Sequence, residues 1–300
     1  MSARRLAQVL VLALLGATAL GHAAPPCTTG DVTPACRYAT GLLWKIERPG
    51  QKPSHLFGTI HLSDPRVVSL PPPVLRRFDT AASFTMEVVL DATVLSDLTD
   101  TMFFKDERTL AGVLGPRRYA AVKRALARHG TPLMGEPSKQ KPWVVATQLA
   151  VPPQQSILDL ELQARAARLG KPVHGLESAR EQIDVFDKLA MTDQIALLDD
   201  ALAQHPQLAQ RIEDMVRAYM ARDLREMGAI VERQRLSDAH LHERIMDRLL
   251  VTRNRRMAER MQPRLTEGDA FIAVGALHLP GEGGVLALLE QAGWQVTPLY

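Results

Sequence analysis

Two stretches near opposite ends of the chain carry almost the same message: His55-Leu56-Phe57-Gly58-Thr59-Ile60-His61-Leu62 and Ala270-Phe271-Ile272-Ala273-Val274-Gly275-Ala276-Leu277-His278-Leu279. Each is an apolar, strand-like run that delivers Gly-x-x-His and then breaks into a Pro-containing loop. The repetition predicts a fold that brings two imidazoles together from matching positions. A convergent pair of histidines is the beginning of a metal site or a general-base site.

The flanking residues enlarge each stretch into a unit. Leu42 to Ile46, a turn through Pro49-Gly50, and His55 to Leu62 form a hairpin signature. Pro71-Pro72-Pro73 then suits the start of a helix over Val74–Ala82, and Ser83 to Leu90 reads as the next strand. At the other end, Phe271–Leu279 is a strand, Val285–Ala292 a helix and Gly293 to Leu299 a strand. Two β-α-β units at the two ends predict an α/β fold with one central mixed, parallel-leaning sheet assembled from both. The middle, about 93–268, is mainly helical by its apolar spacing. Helices are expected over Arg118–Arg128, Asp159–Leu169, Ala179–Ala190, Asp193–Gln204, Leu208–Ala221 and Ser237 to Met261. Lys171 to Glu177 is the one strand expected to interrupt them.

Met1-Ser2-Ala3-Arg4-Arg5, an apolar run to about Leu20 and Gly21-His22-Ala23-Ala24 make up a secretory leader over 1–23. The apolar run is short for a bilayer span, so no stable membrane anchor is expected after cleavage, and the destination is the periplasm or the exterior. Cys27 and Cys36, an even and close pair in an exported chain, predict a disulfide that staples a lead over 24–40. By the chain-entropy argument such a bridge contributes about 2–3 kcal/mol. Residues 41–300 form the main domain. The formal charge of +3 falls to about +1 once Arg4 and Arg5 are removed. With aromatics at only 5% there is no basic, aromatic-laced surface for nucleic acid.

Chemistry is expected beyond the carboxyl ends of the strands, where α/β sheets bind ligands. His61 and His278 both fall there. Gly58 and Gly275, three residues before them, allow close backbone approach. Glu87 sits in an otherwise apolar strand, where a carboxylate is costly unless paired or coordinating. Two imidazoles and a carboxylate are a usual set for a divalent ion; the plainer alternative is a pair of satisfied structural histidines. Secondary candidates are Glu177, facing the cleft or a salt bridge, and Asp159, whose plainer role is a helix N-cap. Arg253 and Asn254 lie on the long basic helix, where an arginine could bind a substrate carboxylate. His240 and His242 are wrongly spaced to chelate from one helix face. No His-Glu-x-x-His, Gly-x-Ser-x-Gly or dinucleotide fingerprint is present.

Gly58-Thr59-Ile60-His61 and Gly275-Ala276-Leu277-His278, with Glu87 between them, resemble the TraB/GumN family, which includes the Tiki proteases. Leu158-Asp159, Gly170-Lys171-Pro172-Val173, Leu176-Glu177-Ser178 with Gln182, and Arg253 to Ala258 are similar to the family's central segments. The likeness covers about residues 40–300. It implies an EreA/ChaN-like α/β fold. It also implies a metal-dependent peptidase, with His61, His278 and Glu87 at the metal and manganese or cobalt as the ion; zinc suits the same donors. The combined expectation is an exported metal-dependent hydrolase acting on peptides. His61 and His278 are its ligands, Glu87 the third ligand or general base, and Arg253 the group that orients substrate. The alternative is a non-catalytic binder of a peptide or a small ligand such as haem.

Overall fold

The two quoted stretches lie side by side. In the computed structural model, which describes residues 38–89, 91, 94, 100–130, 139–154 and 156–300, they form adjacent parallel strands. The expected leader and the Cys27–Cys36 bridge lie outside the described residues.

The six strands are β1 (Leu43–Glu47), β2 (Ser54–Thr59), β3 (Ser83–Met86), β4 (Val173–Gly175), β5 (Ala270–Gly275) and β6 (Gln295–Pro298). Their order across the sheet is β4-β3-β5-β2-β1-β6. β4, β3, β5 and β2 are mutually parallel, and β1 runs antiparallel to both β2 and β6. The sheet is therefore mixed and built from both ends of the chain, with a largely helical middle region. The two terminal units interleave rather than stand side by side: β5 lies between β2 and β3, and β2 and β1 lie between β5 and β6.

β2 is buried at all six positions and β5 at five of six, the near-continuous apolar pattern of strands covered on both faces. One cover is α1 (Pro72–Thr80), which starts on proline and buries Val74 and Phe78, four residues apart on one face. Phe78 meets Phe84 of β3 and Phe271 of β5 at centroid distances of 5.2 and 5.1 Å. Such aromatic pairs add about 0.5–1.5 kcal/mol each beyond their buried area.

The helices that bear on the site are α2 (Leu158–Arg168), α3 (Ala179–Asp187), α4 (Leu208–Met220), α5 (Leu224–Glu232), α6 (Ala239–Met246), α7 (Thr252–Arg260) and α8 (Val285–Gln291). α3 begins with a reciprocal capping box between Ser178 and Glu181. α4 is pinned to the sheet by Tyr219, whose hydroxyl donates to the Gly58 carbonyl at 2.9 Å. The single long helix expected from Ser237 to Met261 is instead α6 and α7 joined by a π-helical turn over Asp247–Val251. Among the described residues no helix is long and apolar enough to cross a membrane.

The two Gly-x-x-His motifs are not geometric copies. Register pairs Gly58 with Val274 and Thr59 with Gly275, an offset of one residue. His61 follows β2 in irregular backbone, whereas His278 closes a 3₁₀ turn over Ala276–His278. The glycines accordingly do different work. A methyl group on Gly58 would come within 2.8 Å of Leu279 Cδ1 and 3.1 Å of Ala276 Cα, so Gly58 lets the two strand ends close up. Gly58→Ala is expected to destabilise the protein by about 1–3 kcal/mol through overpacking, measurable as a lower urea midpoint with an unchanged slope.

Candidate functional site

Read across the sheet, the ends of the four parallel strands deliver Glu177 after β4, Glu87 after β3, His278 after β5 and His61 after β2. All four are buried. The point where they converge lies over Gly275. A methyl group there would stand 3.3 Å from Glu87 Oε1, 3.3 Å from His278 Cδ2 and 3.8 Å from His61 Nε2. Gly275 therefore keeps open a small space that three of the predicted site residues border. A small pocket opens on it, with His61, His278 and Gly275 in its wall beside the apolar Met215, Met227 and Leu250.

Each imidazole is held by its Nδ1. Asp159 accepts from Thr59 Oγ1 at 2.8 Å and lies 2.7 Å from His61 Nδ1. Asp159 sits in the first turn of α2, where Ile157 is the N-cap. Its predicted plain role as an N-cap is thus replaced by one as the orienting partner of His61, and the helix N-terminus favours a carboxylate there. His278 Nδ1 donates to Asn254 Oδ1 at 2.6 Å, and Asn254 Nδ2 donates to the Gly283 carbonyl at 2.8 Å. The second bond fixes which way the amide faces. With both Nδ1 atoms serving as donors, both Nε2 lone pairs are left available.

The two rings do not titrate alike. Burial lowers both. At His61 the Asp159 carboxylate, helped by Glu87, more than reverses this and holds the ring above its ordinary 6.5. His278 has a neutral amide for a partner, and burial together with the Arg253 charge brings it down to about 3.

Glu87 and Glu177 are joined through Arg253. Arg253 Nη2 donates to Glu87 Oε2 at 2.7 Å, Nε donates to Glu177 Oε2 at 2.8 Å, and Nη1 reaches the Leu249 carbonyl in the π turn at 3.4 Å. Gln182 Nε2 bridges the same two carboxylates at 3.3 Å each, and Arg256 donates to Glu177 Oε1 at 3.1 Å. Burial alone would raise the Glu87 pKa. Arg253, with the two histidines and the Gly275 N–H, holds it at about 2 instead. Arg253, expected from the sequence to meet substrate, is only 2% exposed, and its guanidinium is committed to Glu87 and Glu177. For Glu177, the salt-bridge reading is the one the structure adopts.

The donors suit a metal in part. Two imidazoles with free Nε2 atoms, each tied at Nδ1 to an oxygen, have the outer support that metal-ligating histidines carry. Glu87 Oε1 adjoins them, 3.7 Å from His278 Nε2, but it already accepts the Gly275 N–H at 2.6 Å. Among the described residues no group of three His, Cys, Asp or Glu side chains is arranged to hold an ion. The donor set thus fits two histidine ligands, with Glu87 as the adjoining carboxylate.

Fold and site together define a mixed α/β protein with a histidine pair and a buried carboxylate at the carboxyl edge of its parallel strands. This chain belongs to the TraB/PrgY/gumN family, which it matches over residues 42–298. It is 27% identical to metalloprotease TIKI2 of Danio rerio over 310 residues, covering 85% of this chain and 60% of that protein. Identity to metalloprotease TIKI1 of Homo sapiens is 24%, covering 97% and 68%. Identity to the uncharacterized protein YbaP of Shigella flexneri is 28%, covering 82% and 90%. The chain spans only about 60% of the length of the zebrafish relative. No solved structure matches.

Two outcomes follow from the Arg253 cluster. Arg253→Ala leaves two buried carboxylates without their cation and is expected to cost about 3–5 kcal/mol of stability, read from chemical denaturation. Glu87, with a folded pKa of about 2 against an ordinary 4.5, contributes stability that is complete above pH 4.5 and is lost as pH falls toward 2. The stability gap between wild type and Glu87→Gln should therefore narrow across that window.

Proposed function

We propose that this chain is an exported metal-dependent hydrolase acting on peptides. The observation that carries the reading is the pair of imidazoles whose Nδ1 atoms are committed to Asp159 and Asn254, so that two Nε2 lone pairs border one space over Gly275. Kinship with two proteins named metalloproteases, TIKI1 and TIKI2, supports a peptide as substrate. The leader over 1–23 and the close pair Cys27 and Cys36 support export to the periplasm or beyond.

In this reading His61 and His278 hold a divalent ion such as manganese, cobalt or zinc, beside Glu87. When bound, the ion supplies Lewis-acid polarisation of a carbonyl and lowers the pKa of water. The chain's own residues do the rest. Asp159 and Asn254 fix the two ring orientations by engaging Nδ1, so that it is Nε2 that each ring turns toward the ion. Gly275 leaves the room in which a scissile carbonyl must sit. Met215, Met227 and Leu250 offer an apolar bed for a substrate side chain. Of the two roles expected for Glu87, third ligand fits better than general base. A carboxylate held at about 2 by a buried arginine is a weak proton acceptor. Arg253 is a positioning residue that sets where Glu87 Oε1 stands.

Elemental analysis of the purified protein tests this. Stoichiometric divalent metal is expected, lost in His61→Ala and in His278→Ala together with hydrolysis of a peptide library. Asp159→Asn should weaken metal affinity about 10–100-fold. Gly275→Ala should fold and still hold metal while hydrolysis falls, because its methyl group occupies the reacting space. Unchanged metal content and unchanged hydrolysis in both histidine variants would overturn the proposal.

A further inference from the structure

A second cavity lies among the helices of the middle region. Arg211, Val231 and Met246 are in its wall. Met215, Met227 and Leu250 are in the wall of the histidine pocket. These are the same three helical segments sampled four residues apart: Arg211 and Met215 on α4, Val231 and Met227 on α5, Met246 and Leu250 across the end of α6 and the π turn. Residues four apart share a helix face, displaced by one turn of roughly 5.4 Å. The two cavities are therefore neighbours, about one helical turn apart along the same three segments.

The second cavity holds a cation with no counter-charge among the described residues. Arg211 is half-buried, and its protein partners are neutral: the Ala150 carbonyl at 2.9 Å and Gln204 Oε1 at a marginal 3.5 Å. No carboxylate pairs with it among the described residues, and burial, unrelieved by any acid, lowers its pKa from the ordinary value. The cavity's own carboxylate, Asp200, is spent on Ser237, whose N–H and hydroxyl both donate to it. A second donor is at hand in His242, whose Nδ1 accepts from the Leu236 N–H and so leaves the proton on Nε2. Burying a guanidinium without a counter-charge is costly, and its planar fork matches a carboxylate.

We propose that this cavity is the subsite that anchors the C-terminal carboxylate of a peptide substrate, with Arg211 as the anchor. The inference rests on the peptidase reading given above and names the substrate class: peptides with a free carboxyl end. An extended chain advances about 3.3–3.6 Å per residue, so one helical turn corresponds to roughly two residues. A carboxylate seated at Arg211 places a bond about two residues upstream beside His61 and His278. In this reading the apolar Met215, Met227 and Leu250 accept the side chains between.

Binding, not turnover, is the test. Calorimetry would compare an N-acetylated tripeptide ending in leucine as its free acid, the same peptide amidated, and an amidated peptide with glutamate at the last position. Wild type should bind the free acid at least tenfold tighter than its amide. Arg211→Gln should lose that preference with an unchanged circular dichroism spectrum, and Arg211→Lys should keep part of it. Tighter binding of the amidated glutamate peptide than of the free acid would reassign the subsite to an acidic side chain and overturn the C-terminal claim. Equal binding of acid and amide, no binding of either, or a preference that survives in Arg211→Gln would also overturn it. Acid-selective binding without hydrolysis of any peptide would instead remove the enzyme reading and leave the subsite standing.

Discussion

One buried cation organises the site. Arg253 joins Glu87 and Glu177, three charges almost wholly withdrawn from water. Such a cluster is tolerable only when complete, because each member's desolvation is offset by the others. Its members come from the ends of β3 and β4 and from α7, so completing it sets these elements relative to one another. Gly275 N–H and Gln182 occupy lone pairs that Arg253 leaves. The adjacent residue on α7, Asn254, reaches His278. One dipeptide thus places the carboxylate and one of the imidazoles. The π turn just before it fits this role, since such local widenings of a helix occur at functional sites.

The two histidines show how environment divides a single residue type. One leans on a carboxylate and the other on an amide, within the same buried space and under the same arginine. The first is pulled toward its charged form and the second is kept neutral. Diverging titration within a close pair is how folds assign distinct chemical roles to like side chains. Asp159 is what breaks the near-symmetry of the two motifs.

Much of this was legible in the chain. The apolar runs around Gly58 and Gly275 announced two parallel strands, and a glutamate at the end of an apolar strand announced a costly group with a purpose. The single-residue register offset was not legible, because an identical tetrapeptide says nothing of how two strands align. Nor was the interleaving of β5 between β2 and β3, which depends on long-range pairing rather than local pattern. Asp159 looks like a helix-start residue because that is where it sits; only the arrival of Thr59 and His61 from β2 gives it another task. Thr59, a hydroxyl in an otherwise apolar strand end, was the one local hint. Arg253 resembled its solvated neighbours on a basic helix, and the π turn that helps carry it inward leaves no clear mark in the apolar spacing.

The interleaved sheet also sets the order in which this protein can assemble. Ser54 and Ala270, partners where β2 and β5 begin, are 216 residues apart in sequence. The central strand of the parallel set is thus synthesised long after its neighbours β2 and β3. Until it arrives, β2 and β3 have no neighbour to bridge them, and His61 and Glu87 have no shared space. High contact order of this kind makes folding slow, because loop closure must precede the contacts that reward it. The same delay means that partially made chains hold the residues of the site but not the site, so its chemistry begins only when the fold is closed.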